Sequence, residues 1–250
     1  MQNTAMFNKF AVLLTFVSVL IAGLQTFAQT TPTKIKVDSI APGFWIYQSY
    51  GNYNGQQVSA NGLICEGETG LIIVDAPWDT LQTRQLLTWI DSTRHKPILF
   101  SIHTHYHADR VGGLDVYHQR GIKAYATAAT IARVDPKLQR DLTPLQSTDT
   151  VLYAGITPAN IYFPGAGHTA DNIVVWFPLQ KILFGGCMIK STDDSTLGNI
   201  ADADLNAWPN SLKNLMQRYP NAAIVIPGHD GWRGDSIRHT LDLLNQGKAK

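Results

Sequence analysis

Short apolar runs of strand length alternate along this chain with segments of helical periodicity. Leu71 to Val74, Ile98 to Phe100, Ile173 to Phe177, Ile182 to Phe184 and Ile224 to Ile226 are rich in β-branched residues. Each is bounded by Gly, Pro or charged residues, a pattern that predicts buried strands. Thr80 to about Thr93 predicts a helix with Thr80 as its N-cap and Leu86, Leu87 and Ile90 on one face. A second helix is predicted from near Ala207 to Tyr219, with Pro209 in its first turn and Leu212, Leu215 and Tyr219 inward. A third covers Asp235 to Leu244. Ile35 to Glu66 predicts successive antiparallel strands, with Gly51-Asn52-Tyr53-Asn54-Gly55 as a hairpin loop. Strands followed by helices occur twice, with no Pro- or Ser-rich linker between. The expected class is α/β, an αββα sandwich of two mixed sheets packed face to face with helices outside.

The N-terminus belongs to a different pattern. Lys9 precedes an uncharged, mostly apolar run from Phe10 to Leu24, and Thr26-Phe27-Ala28 follows. That layout predicts a secretory signal peptide over residues 1–28, cleaved after Ala28, and one domain over 29–250. The run is shorter than the ~20 apolar residues of a spanning helix, and no Cys at the cleavage site invites a lipid anchor. The expectation is an exported protein, periplasmic in a host with two membranes and free of the membrane after cleavage. Lysines and arginines are scattered and the net charge is +1, which argues against nucleic acid or an anionic membrane surface as partner. A monomer is the default. Only two cysteines occur, Cys65 and Cys187. In an exported chain they would ordinarily pair, but the surroundings of Cys187 argue otherwise.

Polar residues capable of chemistry sit just after the apolar strands. Asp75 follows Ile72-Ile73-Val74, and His105-Tyr106-His107-Ala108-Asp109 comes shortly after Ile98-Leu99-Phe100. Cys187 follows Leu183-Phe184-Gly185-Gly186, and His229 follows Ile224-Val225-Ile226-Pro227-Gly228. Loop residues at strand ends are held in place by the core, and sites gather there. His105, His107 and Asp109 would lie on one side of an extended backbone, and Gly112-Gly113 allows a turn into a following helix. Alone, this triplet is the strongest local signal for a metal, with a solvated polar loop as the lesser reading. His103 extends the alternation and is expected to be structural or at the surface. His168, in Pro164-Gly165-Ala166-Gly167-His168-Thr169, reads alone as a loop histidine, as does His229. Glycine next to such residues lets backbone approach a bulky centre. Cys187 reads alone as a small buried thiol, but a thiolate is also a soft ligand that selects zinc. Taken together, His105, His107, His168, Asp109, Cys187 and His229 are too many for one tetrahedral zinc. They suit two catalytic Zn2+ ions with three protein ligands each. Cys65, between Ile64 and Glu66, stays a core residue.

The stretches HYHADRVGG (His105 to Gly113), PGAGHTADNIVVW (Pro164 to Trp176), ILFGGCMIKS (Ile182 to Ser191), LGNIADADLNAWP (Leu197 to Pro209) and IPGHDGW (Ile226 to Trp232) resemble the metallo-β-lactamases, in particular the cysteine-containing subclass B1. The likeness runs in consistent order through the mature chain. It implies the metallo-β-lactamase fold and a hydrolase of β-lactam antibiotics: penicillins, cephalosporins and carbapenems. It assigns His105, His107 and His168 to a first zinc and Asp109, Cys187 and His229 to a second. It implies that Lys190 binds the substrate carboxylate and that Asn199 polarises the lactam carbonyl. Asp75 becomes a carboxylate behind the ligands, Trp78 a wall of the groove, and the hairpin around Gly51 to Gly55 a flap with Tyr53 as its apolar contact.

The implied mechanism is attack by a zinc-bound hydroxide oriented by Asp109, since zinc brings the pKa of its water down to about 7. The first zinc and Asn199 would stabilise the oxyanion, and the second zinc the departing nitrogen. Other hydrolases of the fold, acting on lactones, thioesters, phosphodiesters or RNA, typically place His after the Asp and use a bridging Asp in place of Cys. Here Arg110 and Cys187 stand at those positions. A non-catalytic zinc protein would use four ligands per metal, usually several cysteines.

Overall fold

The computed structural model describes residues 34–248, and the expected signal peptide at 1–28 lies outside them. Twelve strands form two mixed sheets. In the first, β1 (Lys36–Ala41), β2 (Phe44–Tyr53), β3 (Gln56–Glu66), β4 (Leu71–Val74), β5 (Ile98–Ile102), β6 (Lys123–Ala126) and β7 (Leu142–Pro144) lie side by side in chain order. Pairing is antiparallel up to β4 and parallel from β4 to β7. In the second, β8 (Asp149–Ala154), β9 (Thr157–Tyr162), β10 (Val174–Phe177) and β11 (Ile182–Gly186) are antiparallel, and β12 (Ile224–Pro227) joins β11 in parallel. The helices are α1 (Thr80–Thr93), α2 (Ala108–Val111), α3 (Leu114–Gln119), α4 (Ala128–Ile131), α5 (Pro136–Gln139), α6 (Trp208–Arg218) and α7 (Ser236–Lys248).

Alternation along the strands explains the layering. Ile72 and Val74 of β4 face inward with Phe44, Ile46, Leu63 and Cys65, against Ile161, Val175, Phe177, Ile182, Phe184 and Ile226 of the second sheet. The intervening Leu71 and Ile73 face outward, onto Leu86, Leu87 and Ile90 of α1 and Val116 and Tyr117 of α3. On the far side, Val174 and Leu183 pack under Trp208, Leu212 and Leu215 of α6 and Leu244 of α7. A strand buried on both faces needs apolar residues at every position, which is why these runs are continuous rather than alternating. Cys65 lies between the sheets and is free, as is Cys187.

Two expectations are corrected. Asp79, not Thr80, caps α1: its carboxylate accepts from Gln82 N at 2.7 Å, while the Thr80 hydroxyl donates to Asp115. A carboxylate one residue earlier reaches the free N–H groups of the first turn and favours the positive end of the helix dipole. The stretch Gly51 to Gly55 is not a five-residue loop. Gly51, Asn52 and Tyr53 stay in β2, paired with Val58, Gln57 and Gln56. Only Asn54 and Gly55 turn, with φ of 52° and 79°, the left-handed pair that a two-residue hairpin demands. The hairpin is therefore a two-stranded arm closed by a two-residue turn.

The inward face of β11 lies in the core between the sheets. Phe184 is fully buried between the sheets, and Phe184→Ala is expected to lower the unfolding free energy by about 3–5 kcal/mol. Urea unfolding should show a lower midpoint with an unchanged slope.

Candidate metal centre

Four strand ends and one loop converge at one edge of the sandwich. β4 ends at Val74, and Asp75 follows with a left-handed φ of 68°. Its carboxylate is fully buried, accepting from Thr104 N at 2.7 Å and Thr104 Oγ1 at 3.0 Å, and from Arg110 Nη1 at 3.2 Å. Those bonds hold a backbone conformation that costs a non-glycine residue of order 1 kcal/mol. Beyond β5, His103 is buried rather than at the surface. Its Nδ1 faces the Arg110 carbonyl at 2.8 Å and its Nε2 the Ser101 hydroxyl at 2.9 Å. A carbonyl only accepts, so Nδ1 carries the proton and both nitrogens are spent on structure.

His105 lies in a bend and His107, with φ −67° and ψ 153°, ends it, so Asp109 does not continue an extended triplet. The chain turns into α2 at His107, and Asp109 lies in the first helical turn. The cause is packing after the helix. A Cβ on Gly112 would lie 2.1 Å from Trp78 O, and one on Gly113 would lie 1.8 Å from Thr83 Oγ1. The two glycines let α2 press against the start of α1, which swings Asp109 beneath the histidines. His168 hangs from the loop between β9 and β10, where Gly167 touches Met188 and Trp208. Cys187 follows Gly186, whose φ is 55°. It packs so closely on β12 that a Cβ on Gly228 would lie 2.6 Å from Cys187 N.

The side chains meet. His107 Nδ1 lies 3.2 Å from His105 Nε2 and 3.1 Å from His168 Nε2. Cys187 Sγ lies 3.1 Å from His229 Nε2 and 3.5 Å from Asp109 Oδ2, and that oxygen lies 3.5 Å from His229 Nε2. The potential donor atoms form three overlapping groups, each within 4.8 Å: His105, His168 and Cys187; His105, His107 and Asp109; Asp109, Cys187 and His229. For two of the histidines the outer nitrogen fixes the inner one: His107 Nε2 donates to Asp202 Oδ2 at 3.0 Å, and His229 Nδ1 donates to the Ser59 carbonyl. The inner nitrogens of His107 and His229 are then lone pairs aimed into the cluster, the arrangement that holding a cation requires. Imidazole, carboxylate and thiol together form a donor set suited to zinc.

The electrostatics agree. Burial, reinforced by neighbouring cations, holds His105 and His168 well below the usual histidine range, and burial brings His229 down to about 4. All three are neutral at pH 7. Burial would raise Asp109, but Arg110 and then His229 outweigh it and keep this carboxyl well below its ordinary value. Burial pushes the Cys187 thiol up to about 12 against the pull of Arg110, so a metal must displace its proton.

Arg110 is the residue that the sequence pattern does not reveal. It is completely buried. Its Nη2 reaches Asp109 Oδ2 at 2.8 Å, Cys187 Sγ at 3.0 Å and Gly228 O at 2.7 Å, and its Nη1 donates to Asn61 O at 2.6 Å. Its one sequence signal is a cation inside a run of ligands, which periodicity cannot distinguish from a solvated charge. Asp202 and Ser59, the partners of two histidines, lie too far off in sequence to be read locally.

Above the cluster opens a groove of about 760 Å³, with His107, Asp109, His168 and His229 at its floor. Lys190, Asn199, Trp78 and Tyr53 line it. Lys190 is 4 % exposed, its ammonium 5.6 Å from the centre of the Trp208 ring. Asn199 Oδ1 accepts from Ala201 N at 3.1 Å, which leaves its NH2 as the end with hydrogen bonds to give. The Trp78 ring lies against Gly51, where a Cβ would come within 2.0 Å of it. Tyr53, at the tip of the hairpin arm, is 43 % exposed.

Comparison with known proteins gives a consistent picture. Residues 55–229 match the family described as the metallo-beta-lactamase superfamily. A metallo-beta-lactamase type 2 of Bacillus sp. (strain 170) is 41% identical over 213 residues, covering 84% of this chain and 82% of that protein. One from Elizabethkingia meningoseptica is 34% identical over 235 residues, 92% of each chain. The solved structure of a metallo-beta-lactamase from Pontibacter korlensis superposes with a TM-score of 0.77 at 38% identity, covering 84% of this chain and 99% of that one.

Replacing Arg110 tests how far the centre depends on it. Arg110→Met fills the space but strands the buried carboxylates of Asp75 and Asp109. It is expected to cost the metal-free protein about 3–5 kcal/mol, read as a lowered denaturant midpoint. Parent-like stability would show that the guanidinium is dispensable.

Proposed function

This chain belongs to the metallo-beta-lactamase superfamily, and we propose that it hydrolyses the β-lactam ring of penicillins, cephalosporins and carbapenems, conferring resistance to them. One observation carries the reading: six donors from three strand ends and a loop converge at the floor of a groove that also presents an ammonium with no hydrogen-bonded partner among the described residues. His105, His107 and His168 would hold one zinc ion, and Asp109, Cys187 and His229 a second. Zinc bound there supplies Lewis acidity, making water a nucleophile near neutral pH and drawing charge from a carbonyl oxygen.

The chain's own groups supply the rest. Asp109, ionised at neutral pH, accepts a hydrogen bond from the attacking water and orients it. Lys190 has no hydrogen-bond partner for its ammonium among the described residues and receives the substrate carboxylate, fixing where the ring lies. Burial pulls its pKa down, with Cys187 and Asp194 opposing; an incoming anion favours the charged form further. Asn199 offers its NH2 to the lactam carbonyl oxygen, where negative charge develops. Trp78 and Tyr53 give apolar contact on the side of the hairpin arm and displace water from the groove. Export to the periplasm and action as a monomer belong to the same reading.

A chromogenic cephalosporin should be hydrolysed by the zinc-loaded protein and not after treatment with a chelator, with activity returning on addition of zinc. Turnover of a lactone or thioester in its place would move the chain to another hydrolase of the fold. Chelator-resistant folding with no turnover at all would make it a zinc-binding protein. Cys187→Ala is expected to lose most activity and about one zinc per chain, measured by elemental analysis. Unchanged metal content would remove Cys187 from the ligand set.

A further inference from the structure

His229 is held from behind by a device that uses the side chains of this chain and that the proposed reaction leaves unassigned. Its Nδ1 donates to the carbonyl of Ser59 on β3, which leaves the lone pair of Nε2 facing Cys187 and Asp109. Where that carbonyl sits depends partly on the pairing of Ser59 with Tyr50 of β2. It depends also on the Ser59 hydroxyl. That hydroxyl donates to Asp230 Oδ1 at 2.7 Å and accepts from Asp230 N at 2.8 Å. Asp230 follows His229 directly and has a φ of 53°, a left-handed conformation that an L residue keeps only when its surroundings impose it.

The neighbouring residues of the loop are clasped to the same two strands. Asn61 Nδ2 donates to Pro227 O and Asp230 O, each at 3.0 Å, and Asn61 N donates to Gly228 O at 2.8 Å. Gln48 Nε2 donates to Asp230 O at 3.1 Å and to Asn61 Oδ1 at 2.9 Å. Pro227, Gly228 and Asp230 are thus bound to β2 and β3 by main chain or side chain, and His229 alone projects into the cluster. These strands are the root of the hairpin arm whose tip carries Tyr53.

We propose that Ser59 and Asp230 form a positioning pair that orients His229 as a ligand of the second zinc ion, and that the root of the hairpin arm is thereby built into that ion's affinity. The inference rests on the two-ion reading above. A ligand histidine bound by a fixed acceptor keeps one tautomer and one ring orientation, and loss of such a partner costs about 10–100-fold in metal affinity. Linkage is reciprocal: what steadies the arm's root steadies the ion, and the ion steadies the root.

The test is competition for zinc between metal-free protein and a chromophoric chelator, run on the parent, Ser59→Ala, Ser59→Thr and Asp230→Ala. Ser59→Ala and Asp230→Ala should bind the first ion as the parent does and the second about tenfold or more weaker. Ser59→Thr, which restores the hydroxyl, should recover it. In 15N spectra of the metal-free protein, His229 should be a single Nδ1–H tautomer in the parent and a mixture in Ser59→Ala. A folded Ser59→Ala that binds both ions like the parent overturns the pair, as does equal loss in Ser59→Ala and Ser59→Thr. A parent that takes up only one ion overturns the two-ion reading and this inference with it. That outcome is distinct because it is already present before any substitution.

Discussion

A guanidinium kept wholly out of water is the constraint on which the rest of the centre turns. A lone cation at the position of Arg110 would cost several kcal/mol in lost solvation, far more than one hydrogen bond returns. It is stable there because two carboxylates, two carbonyls and a sulfur surround it. Those partners come from β3, from the residue after β4, from α2, from the residue after β11 and from the loop after β12. One side chain therefore fastens both sheets at the edge where the ligands emerge. The same contacts hold Asp109 ionised against a burial that would otherwise protonate it.

Close approach of backbone is the second requirement. Ligand atoms from separate strands can meet only if nothing bulky stands between their main chains. Glycines occupy the tight places: Gly228 against Cys187, Gly112 and Gly113 against the start of α1, and Gly167 against Met188. The strands that lead to the site are held by the core: β4 and β11 are buried at every position, and β5 and β12 at the ends next to the site. Precision at the floor of the groove is thus inherited from the core, while the upper wall, a two-stranded arm ending in an exposed Tyr53, is free of that constraint.

This division explains what could be read from the chain. The buried strands and the three long helices were legible because continuous apolar runs and helical periodicity both survive in the folded state. The candidate donors at His105 to Asp109, Cys187 and His229 were legible because they follow such runs, and His168 because glycines frame it. β6 to β9 were not identified individually, because strands such as Lys-Ala-Tyr-Ala at 123–126 are short and half polar. The triplet read as extended from His105 to Asp109 instead enters a helix at Ala108: the glycine pair marked a helix nearby, but its packing on α1, which brings the turn forward, is a tertiary effect. The burial of Arg110 and the contacts of Asp202 and Ser59 went unread for the same reason: their partners lie dozens of residues away.

The proton balance of the cluster shows how the protein prepares for a cation. Without metal, Asp109 is matched by Arg110, the cluster histidines held down by burial are neutral, and burial keeps the Cys187 thiol protonated. A divalent ion entering here must expel that proton. The sulfur already lies 3.0 Å from Arg110 Nη2, so the thiolate forms beside a cation that is in place and needs no reorganisation. Lys190 is left over. Among the described residues its ammonium has no hydrogen-bonded anion; Cys187, Asp194 and Asp109 favour its charged form only through space, and it lines the groove. In the proposed reading, a positive group without an ion-pair partner at the groove wall is the one that receives the carboxylate of a substrate.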